Sequence, residues 1–227
     1  METPIILFED EYCIIALKKP GDLVAQDKAG TPSLADSLAK SKESFLQPVH
    51  RLDRPASGAV LFAKSREAFT RFSSLFQNRT IKKIYWAVVE KPLPQDSGRL
   101  VHNLVTSKHI NKSFASPDSK EDSSEAILDY RTTGKSDRYW FLEISLTTGR
   151  QHQIRAQLAA AGSPIKGDMK YGAKRGNRDR SILLHARTLA FTHPFTGGEI
   201  SITAPVPDDV LWKMMENLLQ PGEDEKR

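Results

Sequence analysis

Four short stretches of this chain collect residues able to do chemistry. The first, His50-Arg51-Leu52-Asp53-Arg54-Pro55-Ala56-Ser57-Gly58, sets one carboxylate between two arginines, in a turn ahead of an apolar run. A carboxylate so placed can be a catalytic group; Asp, Pro, Ser and Gly are equally what a plain turn uses. The second, Lys82-Lys83-Ile84-Tyr85-Trp86-Ala87-Val88, puts a tyrosine on a strand beside a lysine pair. Its ring can lie against a base and its hydroxyl can move a proton, or it is a half-buried strand aromatic. The third, Thr148-Gly149-Arg150-Gln151-His152-Gln153-Ile154-Arg155, falls at a strand-to-helix turn, where backbone N–H groups and basic side chains can meet phosphate. A capped helix start with Ile154 and Leu158 in the core fits it as well. The fourth, Gly167-Asp168 followed by Tyr171-Gly172, reads alone as a turn.

The elements that must position these residues follow from periodicity. Ile5–Phe8 and Tyr12–Leu17 are β-rich runs around an acidic turn, and Thr31-Pro32 predicts a short helix to about Ser41. Gly58–Ala63 predicts a buried strand. Ser65 then caps a helix ending near Asn78, with Ala68, Phe69, Phe72, Leu75 and Phe76 on one apolar face. Those phenylalanines read as core, not as a base-stacking platform. Lys82–Val89 is a strand. Leu93–Ser124, rich in Ser, Lys, Asp and Asn, reads as irregular loops with at most one short hairpin. Ala126–Arg131 and Tyr139–Leu146 are strands, and Gln151–Ala161 is a helix stopped by Gly162. Ile182–Thr192 with Glu199–Thr203 forms a hairpin, and Asp208–Leu219 a last helix. Strands outnumber helices without strict alternation. That predicts an α+β fold with a mixed or mostly antiparallel sheet.

Composition narrows the partners. A hydrophobic fraction of 39% over 227 residues suffices for one domain or two closely packed lobes. No apolar run approaches the length of a bilayer span, and no secretory signal is expected, so no membrane partner is expected and the expected location is cytoplasmic. Cys13 is the single cysteine and reads as a core residue. The six histidines form no His-x-x-x-His pair, and no phosphate-cradling glycine loop occurs; neither a metal nor a cofactor is expected. The net charge of +5 is concentrated in Lys166–Arg180 and in Arg71, Arg79, Lys82 and Lys83. A charge run is by default a solvated face, but both runs lie near the motif stretches, which favours RNA backbone contact.

Together the four stretches resemble the RluA-type pseudouridine synthases: His-Arg-Leu-Asp before a Ser-Gly, Lys-x-Tyr in a strand, Gly-Arg-x-His-Gln-Ile-Arg, and Gly-Asp-x-x-Tyr-Gly, in that order. The resemblance runs from about Ile5 to Pro205. It implies the pseudouridine synthase fold, a mixed, mostly antiparallel central sheet flanked by helices and loops. One catalytic domain over residues 1–227 is expected, without a separate N-terminal RNA-binding domain. It implies a cofactor-free isomerase acting on uridines of structured RNA, rRNA or tRNA; separately, a monomer is expected. Asp53 matches the essential aspartate, Arg155 its cationic partner, and Tyr85 the residue that stacks on uracil and can move the C5 proton. Ile154 would press on the other side of the base, and Arg51 would enter the RNA stack when the target nucleotide flips out. His50, Leu52, Arg150, His152 and Gln153 complete the expected substrate-binding set. The carboxylate could attack the sugar or remove a ribose proton. Ala56 stands where the family pattern has threonine, so a local change of hydrogen bonding is expected without loss of activity. Two other readings compete. A non-catalytic RNA-binding or RNA-folding protein would not need Asp53, Tyr85 and Arg155 together. A glycosidase commonly needs two carboxylates and would release free uracil.

Overall fold

Short runs of β-branched and aromatic residues, cut by turns, give eleven strands and four α-helices among the described residues of the computed structural model. It describes residues 3–39, 45–118 and 122–219. The fold is α+β and mostly antiparallel, as the order of elements predicts. The chain divides into two compact units, Met1–Ile84 with His185–Pro205, and Tyr85–Leu184 with Val206–Arg227. No helix among the described residues is long and apolar enough to cross a membrane.

In the first unit, β1 (Ile5–Glu9) and β2 (Cys13–Lys18) form an antiparallel hairpin. Its turn is closed by Asp10, whose Oδ1 accepts from the backbone N–H groups of Tyr12 and Cys13 at 2.8 Å. β3 (Gln47–Pro48) and β2 both run antiparallel to β4 (Ser57–Ala63), which is buried throughout. β10 (Leu184–Thr192) runs parallel to β4 at Ser57 and Gly58, and β11 (Glu199–Thr203) returns antiparallel to β10. The parallel contact demands glycine: Gly58 has φ +126°, and a Cβ there would collide with the backbone of Ala186. α2 (Arg66–Gln77) is capped by Ser65, which accepts from Ala68 N–H. Phe72 is fully buried, and Phe69 and Phe76 pack on the same core with Ile15, Leu61 and Phe191.

α1 (Leu34–Leu38) starts two residues later than Thr31-Pro32 suggests. Ser33 and Asp36 form a reciprocal capping box, whereas the Thr31 hydroxyl is spent on Asp27. Ser41, the expected end of this helix, lies outside the described residues.

The strands of the second unit follow the order β5 (Lys82–Val89), β9 (Trp140–Leu146), β8 (Ser124–Lys135), β6 (Ser97–Ser107), β7 (Lys112–Ser116), the last four successively antiparallel. β5 begins in the last residues of the first unit. α3 (Gln153–Ala160) packs against β6 and β7, and α4 (Val210–Leu219) against β8. The largest departure from expectation lies within Leu93–Ser124, where Ser97–Ser107 and Lys112–Ser116 are regular strands. They form the long β6–β7 hairpin, with β6 in register against β8 from Ser97↔Arg131 to Leu104↔Ser124. Its inward positions Gly98, Leu100, His102 and Leu104 do alternate, but small and polar residues among them weaken the apolar signal.

Candidate active site

Asp53 is half-buried on the loop that leads into β4. The loop is closed by a turn in which Ala56 N–H donates to the Asp53 carbonyl at 3.0 Å. It is stitched to the turn after β2: Gly21 N–H donates to the Arg54 carbonyl at 2.8 Å, and Arg54 Nε donates to the Gly21 carbonyl at 3.0 Å. Lys18, the last residue of β2 and wholly buried, donates from Nζ to the carbonyls of Lys19 (3.0 Å), Arg54 (3.0 Å) and Ala56 (2.6 Å). Burial pushes its ammonium down to about 8, against the opposing pull of Asp22 and Asp53.

Two histidines flank this loop as neutral struts. His50 Nε2 accepts from Leu61 N–H at 3.1 Å, and its ring stacks on Phe76 with centroids 4.8 Å apart. Burial, with Lys83 nearby, lowers its pKa to about 3. His185 Nδ1 bonds Ser57 Oγ at 2.8 Å and its Nε2 faces the Ala204 carbonyl at 3.2 Å. Burial lowers it to about 4. A neutral ring donating from Nε2 and accepting at Nδ1 satisfies both contacts. Leu52 is buried, Arg51 and Arg54 are exposed.

In the second unit Tyr85 sits half-buried on β5. The Gly-Arg-Gln-His segment precedes α3, with His152 as a left-handed N-cap at φ 53°. Buried Gln153 holds the segment: its Oε1 accepts from Thr148 Oγ1 (2.8 Å) and from Arg150 N–H (2.9 Å), and its Nε2 donates to the Ile127 carbonyl (3.1 Å). Arg150 is exposed, with Nε donating to the Glu125 carbonyl at 3.2 Å. Tyr171 Oη accepts from Ser113 N–H and lies 2.9 Å from His152 Nδ1. Arg155 makes a two-pronged bond to Asp168: Nε to Oδ2 at 2.6 Å and Nη2 to Oδ1 at 2.8 Å. Both side chains are almost wholly buried, and the guanidinium lies 4.8 Å from the Tyr171 ring centre. Ile154 is also buried at 4% exposure.

The residue pattern does not single out Lys18, and it names Asp168 within the fourth stretch without giving it a partner. A lysine followed by Lys-Pro reads as a solvated turn. Gly167-Asp168 also reads as a turn, and only its distance from Arg155 in space reveals an ion pair. Of the second basic run, Arg71, Arg79 and Lys82 are exposed, but Lys83 is buried.

Among the described residues, Asp10, Cys13 and His193 bring one potential metal-ligand atom each to within 4.8 Å of one another. Of these, Asp10 Oδ1 and His193 Nδ1 already accept backbone N–H groups. His193 Nδ1 accepts from Phe195 N–H and Thr196 N–H, so the proton is on Nε2, 3.0 Å from Asp10 Oδ2. Burial, with Asp10 beside it, pushes the Cys13 thiol well above its ordinary range. The protonated thiol and the accepting Nδ1 make the cluster a poor set of metal ligands.

A family model described as RNA pseudouridylate synthase matches residues 12–160. The chain is 32% identical over 225 residues to a protein named tRNA pseudouridine synthase C from Vibrio parahaemolyticus, covering 89% of this chain and 90% of that one. It is 33% identical over 240 residues to the protein of that name from Haemophilus ducreyi, covering 96% of both. It is 32% identical over 237 residues to ribosomal large subunit pseudouridine synthase D of Neisseria meningitidis serogroup A, covering 96% of this chain and 62% of that one. Its fold resembles the solved structure of human RNA Pseudouridylate Synthase Domain Containing 4, with a TM-score of 0.75 at 22% identity over 95% of this chain and 92% of that one. Motifs, fold and relatives agree that the chain belongs to the RNA pseudouridylate synthase family, isomerases that convert uridine to pseudouridine in RNA.

Proposed function

We propose that this enzyme isomerises a uridine in a tRNA, acting as a cytoplasmic monomer, with Asp53 as its catalytic carboxylate. The observation that carries the assignment is the Asp53 loop: a half-buried carboxylate within the family motif, on a backbone fixed by Lys18, Gly21 and Ala56. In the reaction the N-glycosidic bond breaks, the uracil turns, and its carbon rejoins the same ribose while a proton leaves C5. Asp53 serves this by attacking the sugar or by taking a ribose proton. Tyr85 stacks on the uracil and moves the C5 proton, and Ile154 presses on the other side of the base. Arg155, oriented by Asp168, is the cationic member of this set. Arg51 fills the stack vacated by the flipped nucleotide. Arg150 and His152 bind RNA, while His50, Leu52 and Gln153 hold the segments that carry these groups. Exposed Lys170, Lys174, Arg175, Arg178 and Arg180 supply backbone contacts.

The tRNA assignment is supported by the relatives named for tRNA that match this chain over nearly their whole length. It is tested by tritium release from RNA labelled at uracil C5, using tRNA and rRNA purified separately from cells lacking the protein. Release from tRNA is expected. Release from rRNA alone would overturn the substrate, and binding without release from either would favour the non-catalytic reading. Free uracil among the products would point to a hydrolase.

A further inference from the structure

Lys18 is a wholly buried ammonium at the end of β2, opposite Gly58 of β4. A lysine head group has three N–H donors and no acceptor. Here all three are matched, by the carbonyls of Lys19, Arg54 and Ala56. Two of those carbonyls bracket Pro55 in the turn that hangs directly from Asp53. Position 56 has no side-chain hydroxyl with which to bond its surroundings, so its carbonyl and N–H are what tie it down. Packing a solvated charge into a core is costly, and a structural anchor could be built from a neutral amide instead. What an ammonium adds is three carbonyls drawn to one point and a positive potential beside the carboxylate.

We infer that Lys18 is a positioning residue for the isomerisation: its buried ammonium fixes the Arg54–Ala56 turn and so sets the placement of Asp53. The inference rests on the synthase reading above. The charged groups facing Lys18 are Asp22, Asp53 and Arg54, with Asp22 and Asp53 favouring the ammonium and Arg54 opposing it. A neutral amine would have two protons for three carbonyls and would turn its lone pair on one of them. The turn therefore loosens as Lys18 loses its proton near pH 8. Stability moves the other way. The unfolded chain holds the lysine proton up to about pH 10.4. Between the two values it binds more protons than the folded chain, so the Lys18 contribution to stability rises with pH. Loss of turnover with a gain in stability is a signature that a purely structural lysine would not give.

The test is single-turnover tritium release at saturating enzyme, from about pH 6 to 9.5, for the wild type, Lys18→Met and Asp22→Asn. In the wild type the rate should fall on an alkaline limb centred near pH 8. Lys18→Met should lower the rate by about 30- to 100-fold near neutrality, with RNA affinity within about threefold, and should lack the limb. Asp22→Asn removes a carboxylate that favours the ammonium and should move the limb to lower pH; it needs no core substitution, so it keeps the test alive if Lys18→Met fails to fold. A limb that persists in Lys18→Met, or does not move in Asp22→Asn, overturns the inference while leaving the synthase reading intact. Absence of release from the wild type at every pH would instead remove the synthase reading itself.

Discussion

The loop around Asp53 is anchored through its backbone carbonyls, by one buried cation, whereas the segment Thr148–Arg155 is anchored through side chains, by an amide and a buried ion pair. The neighbours of the first are titratable groups pushed out of their ordinary ranges by burial: Lys18 near 8, His50 near 3 and His185 near 4. The second is held by Gln153, Thr148 and Tyr171 and by a buried arginine–aspartate pair. One half of the motif is thus anchored by a buried titratable group, and the other by an amide and an ion pair. The difference separates two kinds of failure: the first region loses turnover before it loses structure, the second loses structure first.

The largest effect on stability should come from Asp168→Ala. It leaves the Arg155 guanidinium buried without its carboxylate, and urea unfolding should show a loss of about 3–5 kcal/mol. A loss under about 1 kcal/mol would mean the pair is not an anchor. Gln153→Ala removes the acceptor of Thr148 Oγ1 and of Arg150 N–H and one of several donors to the Ile127 carbonyl, and should cost about 1–3 kcal/mol. The first region should respond to acid. His50 and His185 have folded pKa values below their unfolded value near 6.5, so the unfolded chain gains protons that the folded chain refuses. Their contribution is complete above about pH 6.5 and is lost as pH falls towards the folded values, at up to about 1.4 kcal/mol per unit for each histidine. Unfolding titrations between pH 7 and 5 should show that slope in the wild type and a shallower one in His50→Gln; equal slopes would deny His50 its part. The smallest effect is Arg150→Ala, which should leave stability unchanged, weaken RNA binding a few-fold and reduce the salt dependence of binding by about one phosphate contact.

Much of the frame was legible because local chemistry and fold agree. Ser65 caps α2 three residues before the backbone group that it bonds, and the apolar face of that helix is the face that packs. The strand over Lys82–Val89 matches its β-rich run residue for residue. What escaped was set by distant partners. The β6–β7 hairpin draws its regularity from pairing with β8, not from its own apolar pattern. Thr31 looked like a cap, but a cap is decided by the residue three positions on, and Ser33 has Asp36 there. Lys18, Lys83 and Asp168 carry charges that a single sequence assigns to solvent, and burial is what gives each of them a role. The motif residues were visible from their order along the chain; the bonds that hold them were not.

The most direct test of the account is the single-turnover rate of tritium release by Asp53→Asn beside the wild type, on the same tRNA, with urea unfolding of both. The account predicts a fall of about 10³-fold or more at unchanged RNA affinity and near-unchanged stability, because the amide keeps the shape of the side chain and removes its charge. Release by Asp53→Asn within about tenfold of the wild type would contradict it, since no other carboxylate of the chain has been assigned to the reaction.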